Sequence, residues 1–520
     1  MQRAALPGHC CASELTTPPA ESPRIANAPF SEIAERAFAR AAGAGALDGN
    51  AVRLLRDAAE NYPAWKNAIA RAQQSILFEC YIVEDDAIGR EFAALLTERA
   101  RAGVSVSIIV DWLGSCRALS LWHEARAAGA DVRVFNSPRL SSPLGWLSRD
   151  HRKTIVVDGE VGFVSGLCIS ERWQGNARRR LEPWRDTGIE IRGPATGALE
   201  RAFAQVFATC GPPLDASLLT PQATIPPAGD MHLHVIANEP DLAGTFRMDL
   251  VIASIARREL WLTDAYFVAT SAYVQALRAA ARDGVDVRLL VPGASDIPAL
   301  SPLSRAQYRP LLEAGVRVFE WNGTMLHAKT AVADGRWSRV GSTNLNLASW
   351  MSNYELDVAI EDAGFAVQMA DQYEADLERA TEIVLTRRNR VRPAPVVNGT
   401  MSARELRQGL RRARSGSAGR AAAGAVSVGS ALGAALTDRR ALGPAEAGLL
   451  FLMASVAIGV GVVAAIWPRV LAWPIALLAI WSGIAWAGKG VALRHGRATG
   501  PPDERLPLDG VVDEDLPPQP

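Results

Sequence analysis

The chain has 520 residues, room for two or three domains and more than a single hydrophobic core usually organises. Its 55 basic and 55 acidic residues cancel, which argues against a dedicated duplex-DNA binder with a large basic face. A hydrophobic content of 49% with 21% charged excludes a mostly disordered chain, and six scattered cysteines form no disulfide framework, so a reducing compartment and no structural zinc are expected.

Residues 1–47 begin rich in Ala, Pro and Ser, hold no apolar run long enough for a secretory signal, and read as a tail or accessory helix. From about Asn50 strand-like and helix-like segments alternate. Ser75–Val83 is an apolar strand-like run, Gly89–Ala102 has helical spacing and Val104–Asp111 is a buried-strand signal. Strand signals follow at Asp131–Phe135, Lys153–Val157 and Val161–Val164, an order that predicts an α/β domain over 48–215. A Pro-rich linker, 216–230, precedes a second domain, 231–392, in which the same blocks return. SILFECYIV is answered by ELWLTDAYF from Glu259, AGADVRVFN by AGVRVFEWN from Ala314, and HRKTIVVDG by HAKTAVADG from His327. Matched blocks in one order, displaced by about 180 residues, indicate a duplicated unit.

After about Arg392 the composition changes. Residues 393–446 read as a flexible basic linker. Ala447–Trp467 and Val470–Gly488 are then free of charge, each long enough to cross a hydrocarbon layer of roughly 30 Å as a helix. They predict a two-helix transmembrane hairpin over 447–493, with Trp467 and Trp473 at the turn. Arg439, Arg440, Lys489, Arg494 and Arg497 on the outer flanks place both ends, and the large preceding domain, on the cytoplasmic side. The stretch 494–520 is an acidic, Pro-rich tail.

Rare residues carry the chemistry. Two of only seven histidines are followed two positions later by one of only four lysines: His151 and Lys153, His327 and Lys329. In an extended segment this spacing puts imidazole and ammonium on one face. Brought together by a pseudo-twofold, the two pairs suit an anionic phosphodiester. The lysines, with Ser342 and Asn344, stabilise charge on its non-bridging oxygens, while one imidazole attacks phosphorus and the other handles the proton. This chemistry calls for no metal and no cofactor.

The spacing from His327 through Lys329, Asp334, Gly341 and Ser342 to Asn344 resembles the motif of the phospholipase D superfamily at every position. The first copy keeps His151, Lys153 and Asp158 but ends in Ser165-Gly166-Leu167-Cys168, with Cys168 where bacterial cardiolipin synthases typically carry Asn. The blocks GNAVRLLRDAAENYPA, PWRDTGIEIRGPA and SNYE are similar to that cardiolipin synthase branch, and the likeness spans about residues 48–385. It implies two tandem phospholipase D-like α/β domains packed with pseudo-twofold symmetry, ahead of the hairpin. It further implies catalytic residues His151, Lys153, Asp158, His327, Lys329 and Asp334, with His151 as nucleophile and His327 as general acid/base. By the same likeness Asp158 and Asp334 support the site, and Asp186 and Glu355 match positions that orient the imidazoles. The implied activity is phosphatidyl transfer between phospholipid alcohols through a phosphohistidine, as in cardiolipin synthases, using substrates such as phosphatidylglycerol at a bacterial inner membrane and no nucleic acid. A phosphodiester hydrolase, or a non-catalytic scaffold suggested by Cys168, stand as alternatives.

Overall fold

The computed structural model describes residues 38–385 except 139–147, 241 and 299, together with 391–393 and scattered positions from 458 to 491. The expected tail up to residue 37, linker residues 394–446, most of the hairpin and the acidic tail lie outside the described residues. Among the described residues no helix is long and apolar enough to cross a membrane. The described positions between Ile458 and Val491 are helical except Trp467, and they expose Ile458, Trp473, Leu477 and Ile484.

Among the described residues sixteen strands form one sheet. They are β1 (Leu47–Arg56), β2 (Ser75–Cys80), β3 (Ser105–Asp111), β4 (Asp131–Phe135), β5 (Lys153–Val157), β6 (Val161–Ser165), β7 (Thr187–Arg192) and β8 (Met231–Asn238), then β9 (Glu259–Thr263), β10 (Asp286–Pro292), β11 (Arg317–Trp321), β12 (Thr330–Ala333), β13 (Trp337–Gly341), β14 (Glu355–Glu361), β15 (Ala380–Leu385) and β16 (Val391–Pro393). Outward from a central antiparallel pairing of β1 with β8, one half runs β1-β7-β6-β5-β2-β3-β4 and the other β8-β14-β13-β12-β9-β10-β11. Position by position the two orders are the same. β15 and β16 extend the second edge.

The local reasons repeat as well. β2 and β3 pair in parallel, so the chain between them must cross over, and helix Ala87–Arg101 makes the crossing. Asp86 caps it by accepting from the N–H groups of Ile88 and Gly89, and Ile88, Phe92, Leu96 and Ala100 bury one stripe at helical spacing. In the second half Thr270 caps helix Ser271–Arg282, which buries Tyr273, Val274, Leu277 and Ala280 between parallel β9 and β10. The halves share a core where they meet: helix Ala195–Thr209 packs against β8 and helix Ala363–Leu377 against β1. Leu54, Ile189, Phe203, Val235, Leu356 and Phe365 lie in one apolar cluster there. Buried arginines fasten the same seam. Arg185 pairs with Asp376, and Arg152 donates to the carbonyls of Ala202, Asn238 and Glu355.

Candidate active site

Lys153 opens β5, and Thr330, the residue after Lys329, opens β12, so each histidine stands just ahead of its strand. Both histidine segments are stitched to the opposite half: the His151 N–H donates to the Tyr354 carbonyl at 2.9 Å and the His327 N–H to the Arg185 carbonyl at 2.7 Å. Those two carbonyls lie just ahead of β14 and β7. The seam thus brings both rings to one pocket of about 70 Å³, walled also by Tyr81, Tyr266, Trp173 and Trp184. Each lysine bonds the carbonyl of its own histidine, and Lys329 Nζ also lies 3.1 Å from His327 Nε2.

The carboxylates are exchanged between the halves. Glu355, downstream of the second motif, holds His151 with Oε2 at 2.8 Å from Nδ1. Asp186, downstream of the first, holds His327 with Oδ2 at 2.8 Å from Nδ1. In each case a carboxylate on Nδ1 leaves Nε2 as the nitrogen for chemistry. The carboxylates are held in turn: Trp173 Nε1 donates to Asp186 at 2.8 Å, and Glu355 accepts from the Ser342 hydroxyl at 2.6 Å and from Asn353 at 3.2 Å. Ser342 therefore serves the orienting carboxylate. Asn344 faces the pocket, its Oδ1 buried and without a partner.

Burial, then the nearby lysine charges, set the electrostatics. His151 is pushed well below the ordinary imidazole range by burial and by Lys153 and Lys329. Burial and Lys329 bring His327 down to about 4 against the pull of Asp186. Burial also brings Lys329 to about 8. The two carboxylates differ: burial, opposed by Lys153, leaves Glu355 above its usual value. For Asp186 burial is outweighed by His327 and Lys329, so it stays below.

A stability signature follows for the empty protein. Between pH 6.5 and about 4 the unfolded chain holds a proton on this histidine that the folded chain lacks. The contribution of His327 is therefore full above pH 6.5 and is lost as pH falls toward 4, by up to about 1.4 kcal/mol per pH unit. Asp111 and Asp264, raised by burial to about 7, act in the opposite sense. The measurement is accordingly a comparison: denaturant melts of wild type and His327→Gln at pH 7 and pH 5, in which the variant is expected to lose less stability on acidification.

Asp158 and Asp334, grouped with the catalytic residues and expected to support the site, lie away from the pocket. They stand at the far ends of β5 and β12, about 15 Å of strand from the lysines. Asp158 accepts from the N–H groups of Gln73, Gln74 and Ser75, and Asp334 from those of Arg257, Arg258 and Glu259. Both have φ of 53°, in a turn that leads to the next strand. Each clips the entry to its neighbouring strand, β2 or β9, in register. Asp158→Ala is expected to cost about 2–3 kcal/mol in a urea melt, from the loss of charged hydrogen bonds, while the folded fraction keeps its turnover within a few-fold.

Cys168 is fully buried, its carbonyl accepting from the Tyr62 hydroxyl at 2.5 Å. It packs in the apolar cluster that includes Cys80. Tyr81 and Tyr266, missed in the sequence, meet His151 and His327 edge-on at 4.8 and 5.8 Å between ring centroids. Their one visible signal was their place at the end of the matched blocks. Trp184, packed on His327, stands in the PWRDTG block, whereas Trp173, packed there too, had no such signal. His232 and His234 are tied to Asp48 and to the Ala44 carbonyl, away from the pocket.

Two imidazoles backed by carboxylates and flanked by lysines, in a cleft between two like halves, define an enzyme of the phospholipase D-like class. The family model described as "Cardiolipin synthase, PLD-like domain" matches residues 65–177 and 251–380. Cardiolipin synthase A of Pseudomonas aeruginosa is 34% identical over 69% of this chain and 73% of its own length. A cardiolipin synthase of Alkalihalophilus pseudofirmus is 32% identical over 64% and 67%. The crystal structure of phosphatidylserine synthase from Haemophilus influenzae shares the fold, with a TM-score of 0.53 and 15% identity over 67% of this chain and 92% of that one. The chain belongs to the cardiolipin synthase family of phospholipase D-like enzymes.

Proposed function

We propose that this chain is a membrane-anchored phosphatidyltransferase that makes cardiolipin or a close relative from phosphatidylglycerol. The observation that carries it is the exchange of carboxylates between halves, each Nδ1 held by the other half's carboxylate with both histidines lining one pocket and a lysine bonded beside each. In the first step His151 Nε2 attacks phosphorus, the bond to the headgroup oxygen breaks, and His327 gives that oxygen its proton. In the second, His327 takes the proton of a second lipid's hydroxyl, its oxygen attacks phosphorus, and the P–N bond breaks. The lysines offset the charge on the non-bridging oxygens.

The unequal carboxylates support this division of roles. Asp186, where burial is outweighed by His327 and Lys329 and the value stays below the usual one, favours positive charge on His327, whereas Glu355, raised by burial, favours it less on His151. Burial is the larger and Lys329 the smaller cause of the lowered His327 value, and a bound phosphodiester anion would offset the lysine part, favouring the protonated ring. The charge-free runs 447–467 and 470–488 would anchor the catalytic halves on the cytoplasmic face, beside substrates that stay in the bilayer. The division into units 48–215 and 231–392 joined by 216–230 belongs to the same reading.

Full-length protein given headgroup-labelled phosphatidylglycerol is expected to release glycerol and form cardiolipin. Release of glycerol with phosphatidic acid as the sole lipid product would replace transfer by hydrolysis.

A further inference from the structure

Arg149 stands two residues before His151 and lines the same pocket, 7% exposed. Its Nη1 donates to the Tyr81 hydroxyl at 3.2 Å, and its Nε is buried without a hydrogen-bond partner. Other buried arginines pair more fully: Arg185 with Asp376 and Asp57, Arg152 with three carbonyls, and Arg339 with Asp249, although Arg339 Nε and Nη2 are also unbonded. Burial works against the Arg149 charge, but Tyr81, Asp111 and Glu355 outweigh it, although among the described residues it makes no ion pair. Its charge is held in place, and the unbonded Nε lies beside the pocket, where an anion's oxygen can accept from it.

The two halves differ at this point. The residue two positions before His327 is Met325, buried and uncharged. On the His327 side the pocket carries Asp296 instead, which accepts from the Tyr266 hydroxyl at 2.8 Å. Beyond the lysine of each motif, the pocket thus carries a further cation on the His151 side and a carboxylate, Asp296, on the His327 side.

We propose that Arg149 is a third cation of the phosphate site, and that it commits the phosphatidyl group to His151 rather than His327 by holding the anionic oxygens of the covalent intermediate. The inference rests on the two-histidine transfer reading above and deepens it. The planar fork of a guanidinium suits two phosphoryl oxygens at once, and Tyr81, bonded to Arg149 and edge-on to His151, fixes the fork beside the ring. Burial lowers His151 most, and Lys153, Lys329, Arg149 and His327 add to it, against the Glu355 carboxylate on its Nδ1.

The test uses the full chain with phosphatidylglycerol labelled at phosphorus, quenched in alkali, which keeps a P–N bond, with the label located by peptide mapping. Wild type is expected to carry label on the His151 peptide alone. Arg149→Met, which makes the two sides alike, is expected to lower turnover about tenfold or more and to spread the label to the His327 peptide. The acid limb of its kcat/KM profile is expected to move to higher pH, since His151 then protonates more readily. Arg149→Lys keeps the charge, is expected to keep label on His151, and guards against a variant that does not fold. Label confined to His151 in Arg149→Met, with turnover within twofold of wild type or an unmoved acid limb, would overturn the role of Arg149 alone. Turnover in wild type without label on either histidine would overturn the phosphohistidine reading first.

Discussion

His327→Ala is expected to slow phosphatidyl transfer from phosphatidylglycerol by about 10²- to 10⁴-fold, the usual worth of a positioned acid/base. The leaving glycerol oxygen needs a proton, and His327, held by Asp186 and facing the pocket, is the group placed to give it. A lipid whose headgroup is p-nitrophenol needs no such proton. With that substrate His327→Ala should still show a burst of p-nitrophenol as His151 is charged, followed by a stalled second step. His151→Ala should show no burst. A burst that survives in His151→Ala and vanishes in His327→Ala would reverse the two roles.

Asp186→Asn is the second large effect. Asp186 belongs to the first half in sequence, yet it serves the histidine of the second, 141 positions away. An amide at that place can present its N–H to Nδ1, which would put the ring proton on the wrong nitrogen. The loss in kcat is expected to be about 10²- to 10⁴-fold, with KM little changed. Because Asp186 is a positioning residue that acts through His327, the double variant Asp186→Asn/His327→Ala should lose no more than His327→Ala alone. Additive losses would mean that Asp186 works elsewhere. Glu355→Gln is the matching change for His151, and it should suppress the p-nitrophenol burst that Asp186→Asn leaves largely in place.

Much of the second-half topology could be read from the first. The run Ser75–Cys80 and its answer at Glu259–Thr263 are apolar strands at matching places in the sheet order, and the capped helices that follow them repeat too. The join was less legible. β1 is a half-exposed strand without the strong apolar run of β2 or β3, and its pairing with β8 links segments about 180 residues apart. Arg149 could have been noticed, since it shares the parity of His151 in RDHRK. Its significance lies in the carboxylate it lacks, and local sequence does not give the neighbours of a side chain.

The chain's own order of residues determined the duplication, the two H-x-K pairs and the class of chemistry. These are local matters: strand periodicity sets which side chains share a face, and repeated rare residues mark both copies. Only the tertiary structure decided the crossing, in which Glu355 holds His151 and Asp186 holds His327. It also decided that Asp158 and Asp334 are backbone clips at the far strand ends. The physical reason is that a carboxylate's partner is fixed by which chain segments the core brings into contact. Here the central pairing of β1 with β8 and the apolar seam around it lay the end of each motif against the start of the other.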